Sequence, residues 1–249
     1  MFNPTVSVLV PFFNRPTETI RAVKSVLAQT YNNYEIILIN DGSNVDINEV
    51  FSFCANYENI KIINQENQGP ASARNHGIKI AQGLYIAFLD SDDEWMNDKL
   101  DKQIKYMISN KLSFSHTSYK IINELNNSKK IIESGKINYK FPSIAFHNKI
   151  ATPTVIFKKS LILNHEITYI GDYRVGEDAI LWCHLVKKTI LWGMPDILSI
   201  VYQSPNSSSL NDKNKRLAFY SINKCLHNNK IIQFIHLNYI YLRILFRTL

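Results

Sequence analysis

The chain has 249 residues, 45% of them hydrophobic and 20% charged, which fits a globular protein with one large domain. Its cysteines, Cys54, Cys183 and Cys225, are widely spaced and form no C-x-x-C pair. This spacing argues against a disulfide framework or a zinc site and fits a reducing compartment. The sequence has no signal-peptide pattern and no uncharged apolar run of about 18 residues, so we predict a cytoplasmic protein without a transmembrane helix.

The net charge of +7 is unevenly distributed along the chain. Residues 1–100 hold 7 Lys and Arg against 12 Asp and Glu, whereas residues 101–249 hold 21 against 9. The basic segment is compatible with contact to nucleic acid, anionic lipid or a diphosphate-bearing acceptor. It is equally compatible with a solvated lysine-rich surface.

The first 100 residues alternate between strand and helix patterns. Strands are predicted over 6–10, 35–40, 60–63 and 84–89, and helices over 17–29, 45–57 and 71–81. Pro16 suits the first turn of the first helix, and Gly83 follows the end of the third. This alternation predicts an α/β fold with a mostly parallel sheet and helices on both faces.

The second half has a mixed pattern. We predict a helix over 98–110, a hairpin within 113–135 around Asn126 and Asn127, and a strand over 154–157. A helix over 176–188, a polar mobile stretch over 204–215 and a helix over 216–249 are predicted to follow. No repeat and no clean linker is visible. We therefore expect one domain over 1–210, with a nucleotide-binding half (1–100) and an acceptor-binding half (101–210), followed by a basic, amphipathic helical extension over 211–249.

A cluster of acidic residues follows the fourth predicted strand, where Asp90, Asp92 and Asp93 end an apolar run. Crowded carboxylates need a counter-charge, which is usually a hard divalent cation that a substrate phosphate can share. A turn followed by a helix N-cap is the alternative. Because ligands bind at the carboxyl ends of parallel strands, residues 11–14, Asp41 and this cluster should share one crevice.

Two common phosphate-binding motifs are missing. No G-x-G-x-x-G follows the first strand, and no G-x-x-x-x-G-K-[ST] occurs, so a dinucleotide fold and a P-loop are not expected. The phosphate would then be held by a metal ion and by side chains.

Four segments occur in order, each at a predicted strand or helix end: VLVPFFN at 8–14, ILINDGS at 37–43, NQGPASARNHG at 67–77 and FLDSDD at 88–93. Together they resemble the large inverting family-2 glycosyltransferases with the GT-A fold. The resemblance is close over about residues 4–110 and looser to about residue 205. It implies a single GT-A domain and a sugar-nucleotide donor.

The resemblance also implies donor-binding roles. Asp41 resembles the uracil-contacting carboxylate, and Pro11 and Asn14, with Phe13 between them, resemble the floor of the uridine pocket. Arg74 resembles the arginine that helps to hold the nucleotide and diphosphate, and helix N-termini favour anions. The alternatives are an ordinary turn for Asp41 with Gly42 and a surface helix residue for Arg74.

In the acidic segment, Asp90 resembles the family's ribose-side or metal-side carboxylate and Asp92 its direct metal ligand. Ser91 lies between them in the same donor-binding segment. Asp93 either assists or caps the next helix. The metal would be Mn²⁺ or Mg²⁺, since the ligands are hard oxygens, and it would neutralise charge on the departing UDP.

An inverting transfer needs one general base for the acceptor hydroxyl. Glu177 and Asp178 resemble the family's E-D pair at the start of a helix. We predict Asp178 as the base, with Glu177 orienting it or contacting the acceptor, although acids in a first turn are also favoured by the helix dipole alone. Trp182 and Trp192 either shape an acceptor groove or belong to the core, and we expect His184 to pack in the core.

The last predicted helix carries a narrow polar stripe, formed by Gln233, His236, Arg243 and Arg247. With the basic residues that begin at Lys213, it suits either peripheral contact of 213–249 with the cytoplasmic face of the inner membrane, or docking on the domain or a partner. Both alternatives remain open at this point.

We predict transfer of a hexose from UDP-glucose or UDP-galactose to a glycan acceptor, plausibly one linked to polyprenyl diphosphate, with formation of a β-glycosidic bond. The resemblance implies synthesis of O-antigen, capsule or lipooligosaccharide. Intact Asp41, Asp92 and Asp178 argue against a non-catalytic UDP-sugar-binding paralogue. A nucleic-acid-binding protein has no motif to support it, and acids crowd the predicted crevice, so we expect no nucleic-acid partner.

Overall fold

The computed structural model describes residues 3–141, 143–146, 149–163 and 176–204, without the side chains of residues 145 and 146. The predictions for 205–249 lie outside these residues, and the division of the chain at residue 210 stays a prediction. No helix in the described part of the chain is long and apolar enough to cross a membrane.

Strands and helices alternate through the first half and mix in the second. The strands are β1 (Val6–Phe12), β2 (Tyr34–Asp41), β3 (Ile60–Gln65), β4 (Tyr85–Phe88), β5 (Glu94–Trp95), β6 (Phe114–Asn123), β7 (Lys129–Ile132), β8 (Ile156–Lys158) and β9 (Trp192–Gln203). The helices are α1 (Pro16–Leu27), α2 (Asn48–Cys54), α3 (Pro70–Ile80), α4 (Lys99–Ser109), α5 (Ser143–Phe146), α6 (Ser160–Leu163) and α7 (Glu177–Val186), with 3-10 turns at Ser134–Lys136 and Thr152–Thr154.

Within the described residues, all nine strands form one sheet in the order β3-β2-β1-β4-β8-β6-β9-β5, and β7 pairs with β6. The first four positions are parallel, as the βαβ pattern predicts. Strand β8 then runs antiparallel to β4 and β6, and β9 runs parallel to β6. The predicted α/β class is therefore confirmed, with a parallel half joined to a mixed half.

The core lies on both faces of this sheet. Alternate residues of β1 and β2 point to opposite sides, so Leu9 and Ile37 pack toward α3 and α7, whereas Val8 and Ile36 pack toward α1 and α4. Every residue of β1 is buried, which explains its continuous apolar sequence. This double packing fixes the carboxyl ends of β1, β2 and β4 along one edge of the sheet.

The long strand β9 is absent from the sequence prediction, because it contains Gly193 and Pro195, which usually interrupt strands. The structure accommodates both at an irregularity where the β6–β9 register shifts around Ser118. A side chain at Gly193 would meet the carbonyl oxygen of Gly135 at 2.3 Å, so only glycine fits there. This strand returns the chain from the far end of α7 to the crevice.

The tryptophans divide between the alternatives that the sequence left open. Trp182 is fully buried and packs against Phe88 and Phe114, with ring centroids 6.2 and 5.7 Å apart. It therefore belongs to the core. Trp192 is partly buried against the opposite face of the sheet, and His184 is half-buried on α7, where burial and Lys187 lower its pKa.

Candidate active site

The loops that follow β1 and β2 are joined at the sheet edge by Asn14. Its side-chain Nδ2 donates to Asn44 Oδ1 at 2.6 Å, and its side-chain Oδ1 accepts from the Asn44 backbone N–H at 2.9 Å. Asn14 has a φ of 55°, a left-handed conformation that asparagine tolerates. Pro11 is buried within β1 just before this loop, and Phe13 is 40% exposed beside it. An exposed aromatic ring at this position offers a surface on which a base can stack.

Asp41 ends β2 and is almost completely buried. Its Oδ1 accepts from Gln65 Nε2 at 2.8 Å and from the backbone N–H of Gln68 at 3.0 Å, and its Oδ2 accepts from the Gly69 N–H at 2.9 Å. The carboxylate thus holds the loop that enters α3. Because an ionised carboxylate offers about four acceptor positions, it keeps room for one further donor.

Arg74 lies one turn into α3 and is only 4% exposed, so it is not a surface helix residue. Its Nη2 donates to Asp90 Oδ1 at 2.6 Å, and its Nη1 donates to Glu177 Oε1 at 3.0 Å. One buried guanidinium therefore joins the turn after β4 to the start of α7. The structure brings these three predicted residues together across 103 positions of sequence.

Asp92 lies on the turn after β4, where its Oδ2 pairs with Arg15 and its backbone carbonyl accepts from Arg21 Nη2 at 2.7 Å. Its side chain is 31% exposed, close to the 30% of Asp90. Burial raises the pKa of Asp92, the negative charge of Asp90 raises it further, and Arg15 opposes both. Acidic residues are thus crowded here, as the sequence predicted, and arginines balance part of their charge.

Two neighbours of these carboxylates point into the protein. Asp93 is buried, and its Oδ1 accepts from the backbone N–H of Tyr202 at 3.0 Å, so it ties this turn to the end of β9. Burial and the charges of Asp90 and Asp92 raise the pKa of Asp93 well above its ordinary value. Ser91 is also buried. Helix α4 begins after Asp98, so Asp93 is not its cap.

The chemistry of Asp90 and Asp92 fits a hard cation. Each of the two ion pairs uses one oxygen, Oδ1 of Asp90 and Oδ2 of Asp92. Over the described ranges, no three His, Cys, Asp or Glu side chains form a metal-binding group. Hard carboxylate oxygens are the ligands that Mg²⁺ and Mn²⁺ prefer, so Asp90 and Asp92 fit such an ion and would be the residues that hold it.

Glu177 and Asp178 begin α7 directly after Gly176. Burial raises the pKa of Glu177 to about 7, with Arg74 opposing the shift and Asp178 adding to it. Burial also raises the pKa of Asp178, and the charge of Arg74 again opposes it. Asp178 Oδ2 accepts from Thr152 Oγ1 at 3.3 Å, which orients the carboxylate. A carboxylate with raised proton affinity suits general-base catalysis near neutral pH.

Three residues near the crevice were missed from the sequence. Arg15 directly follows the asparagine of the first matched segment, and this adjacency is its only sequence signal. Thr152 lies in a 3-10 turn that has no helical or strand pattern. Tyr119 lies on β6, where burial raises its pKa to about 12 and the charges of Asp93 and Asp178 contribute, so it is near both acids.

A comparison with protein families matches residues 7–173 to the model described as "Glycosyl transferase family 2". The chain belongs to this family. An uncharacterised family member from Rickettsia bellii is 41% identical over 226 residues, which are 90% of this chain and 32% of that protein. The chain thus spans about a third of the length of this relative.

Two further comparisons cover most of the chain. The UDP-Glc:alpha-D-GlcNAc-diphosphoundecaprenol beta-1,3-glucosyltransferase WfaP of Escherichia coli is 32% identical over 212 residues, which are 85% of this chain and 82% of that protein. The crystal structure of S. aureus TarS 1-349 in complex with UDP-GlcNAc has a TM-score of 0.72 at 17% identity and covers 91% of this chain and 67% of that one. At this identity the likeness shows the fold, and the predicted GT-A fold is confirmed.

Proposed function

We propose that the chain transfers a hexose from a UDP-sugar to a glycan acceptor with inversion of the anomeric centre. The observation that carries this proposal is the ion-pair bridge through Arg74. The guanidinium of Arg74 binds Asp90, a predicted donor-side carboxylate, and Glu177, which directly precedes the predicted base Asp178. A single displacement requires that the residues that bind the sugar donor lie near the base that serves the acceptor hydroxyl.

The nucleotide would lie across the loops after β1 and β2. Asp41 accepts from the uracil imide through its remaining acceptor position, and Phe13 offers a ring for stacking. Pro11 and Asn14 form the floor between them. Arg74 would contribute positive charge beside the diphosphate. Its hydrogen bonds to Glu177 and Asp90 hold the guanidinium in this position.

Asp90 and Asp92 would hold a Mn²⁺ or Mg²⁺ ion, whose chemistry is to neutralise the charge that develops on the departing UDP. Arg74 lies beside Asp90 and Arg15 lies beside Asp92, and they balance part of the negative charge of these carboxylates. Arg21 holds the backbone of Asp92 in place. Ser91 keeps the turn between the two acids buried and compact.

The base would be Asp178. The acceptor hydroxyl oxygen attacks the anomeric carbon, the carbon–oxygen bond to UDP breaks, and the hydroxyl proton passes to Asp178. Thr152 donates to Asp178 Oδ2, and the backbone N–H of Ala179 donates to its Oδ1 at 2.6 Å. These two bonds orient the carboxylate, and about two of its four acceptor positions are left for the hydroxyl proton. Attack opposite the leaving group converts an α-linked donor into a β-glycoside, and Glu177 holds the start of α7 against Arg74.

The family relatives support the substrate classes. WfaP is named for UDP-glucose and for a GlcNAc-diphosphoundecaprenol acceptor, which supports UDP-glucose over UDP-galactose and a polyprenyl-diphosphate acceptor here. Such an acceptor lies at a membrane, so the proposal includes peripheral contact at the cytoplasmic face through residues 213–249. The product would belong to a bacterial surface polysaccharide such as O-antigen, capsule or lipooligosaccharide.

The test is release of UDP from a panel of UDP-sugars, with Mn²⁺ or EDTA, and with or without a lipid-linked GlcNAc acceptor. We expect one donor to turn over, loss of turnover in EDTA and in Asp92→Ala, and loss of turnover with retained UDP binding in Asp178→Asn. UDP binding without turnover in the presence of every acceptor would favour a non-catalytic UDP-sugar-binding protein. Equal turnover in EDTA would remove the metal from the proposal.

A further inference from the structure

Arg15 and Asp92 form an ion pair between the loop after β1 and the turn after β4. Arg15 Nη1 donates to Asp92 Oδ2, and the two residues are 77 positions apart. Their side chains are 41% and 31% exposed, so the pair is open to solvent. One carboxylate oxygen of a predicted cation ligand is therefore already bound by a cationic side chain of the protein itself.

The two arginines beside the predicted metal ligands are held differently. Arg74 is buried and shared between two carboxylates, so it cannot leave without stranding charge inside the protein. The side chain of Arg15 makes its ion pair with Asp92 alone, within the part of the chain that the structure describes. Exposed pairs of this kind are weak and exchange partners at little cost. Arg15 is thus the counter-charge that can be displaced.

We propose that Arg15 competes with the divalent cation for Asp92, and that the donor's diphosphate relieves this competition by offering the guanidinium another anion. The inference rests on the proposed function, because it takes Asp90 and Asp92 as cation ligands. Its consequence is thermodynamic coupling: the cation binds weakly to the free protein and more tightly with the nucleotide. Each ligand then raises the affinity of the other by the same factor.

The experiment measures Mn²⁺ affinity from the electron paramagnetic resonance signal of free Mn²⁺, with and without saturating UDP. In Arg15→Gln without UDP, we expect Mn²⁺ to bind about fivefold more tightly than in the wild type, since an exposed ion pair no longer competes. The enhancement of Mn²⁺ affinity by UDP should shrink by about the same factor. Equal or weaker Mn²⁺ binding by Arg15→Gln without UDP, or an undiminished enhancement, overturns the proposal.

Two further variants exclude a general effect of charge. Lys105→Gln on α4 also removes one positive charge and one exposed pair, that with Asp101 at 2.9 Å, and it should leave Mn²⁺ affinity unchanged. In an Asp92→Asn background, Arg15→Gln should add nothing, because the effect acts through Asp92. An equal gain in Lys105→Gln, or a gain that persists without Asp92, overturns the proposal.

UDP binding, followed by calorimetry, separates this inference from the proposed function. If the wild type binds UDP and Mn²⁺ but Arg15→Gln behaves like the wild type, the competition is overturned and the transferase proposal stands. If UDP binds and no variant binds Mn²⁺ with or without it, both the competition and the metal assignment fail. If UDP itself does not bind, the assigned donor fails.

Discussion

Two groups of carboxylates face the crevice, and they are held in opposite ways. Asp90 and Asp92, on the turn after β4, are about one-third exposed, and each pairs with an arginine, which Asp90 shares with Glu177. Glu177 and Asp178, at the start of α7, are more enclosed, and burial raises the pKa of both. Burial raises the pKa of Asp92 as well, but an exposed carboxylate can exchange its arginine for a cation from solution, whereas an enclosed one is better placed to take up a proton from a bound substrate. The environment thus divides one type of side chain between two tasks.

The largest effect that tests this division is expected from Asp178→Asn. The amide keeps the size of the side chain but cannot accept the proton, so turnover should fall by about a thousandfold while UDP affinity stays the same. UDP release and calorimetric UDP binding measure the two quantities.

Asp101→Asn provides the matched control on α4, where the acid pairs with Lys105 at a solvent-exposed position. It should leave turnover within about twofold of the wild type, since exposed pairs contribute little. If Asp178→Asn retained most of its turnover, the base would have to be another residue, and the two groups of carboxylates would no longer differ in task.

Arg74 connects the two groups, and its removal should have the next largest effect. Arg74→Gln leaves two carboxylates without their counter-charge, one of them buried, so the free energy of unfolding should fall by about 3 kcal/mol. Urea denaturation measures this loss. Lys102→Gln, which breaks the exposed pairs with Asp98 and Asp196, is the control and should leave the free energy of unfolding nearly unchanged. Equal losses in the two variants would mean that the two groups are independent.

The parallel half of the fold is also the more predictable half. Strands β1 to β4 are apolar runs separated by amphipathic helices, so local patterns place them and the structure confirms them. The mixed half depends on distant pairing. Strand β5 has two residues and is defined only by its contact with β9, and Pro195 hides β9 itself. Local propensity does not encode such pairings.

The candidate site shows the same limit. Its acids stand at a strand end and a helix start, where a sequence pattern can mark them. Their partners cannot be found in this way, because Arg15 meets Asp92 and Arg74 meets Glu177 only after the chain has folded. The resemblance to the family predicted that Arg74 helps to hold the nucleotide and diphosphate, and the structure shows its guanidinium between two carboxylates. The roles of these residues in binding and catalysis stay predictions.

The raised pKa of Glu177 predicts a pH dependence of stability. Its ordinary value is 4.5 and its value in the folded chain is about 7, so the folded state binds the proton more tightly than the unfolded state. The contribution of Glu177 to the free energy of unfolding is complete below pH 4.5 and is lost as the pH rises through about 7. Removing the titration in Glu177→Gln should therefore flatten the profile over this window by about 1 to 3 kcal/mol.

Urea unfolding of the wild type and of Glu177→Gln, at intervals from about pH 4 to about pH 8, measures this difference in the free energy of unfolding. Glu133→Gln, at an exposed pair with Lys136, is the control and should run parallel to the wild type. Parallel profiles for Glu177→Gln and the wild type would show that Glu177 titrates as an exposed glutamate, and its contrast with Asp90 and Asp92 would disappear.

The smallest expected effect concerns Thr152, which donates to Asp178 from the 3-10 turn before β8. This hydrogen bond favours the ionised carboxylate, and its loss in Thr152→Val should raise the pKa of Asp178 further. The acidic limb of the turnover profile should move to higher pH, and the maximal rate should fall by about threefold to tenfold because the base is less well oriented. Thr152→Ser keeps the hydroxyl and should restore both. A lower rate without movement of the acidic limb would assign Thr152 to packing alone. A limb that moves in Thr152→Val and returns in Thr152→Ser would show that a neutral hydroxyl tunes the proton affinity of the enclosed base.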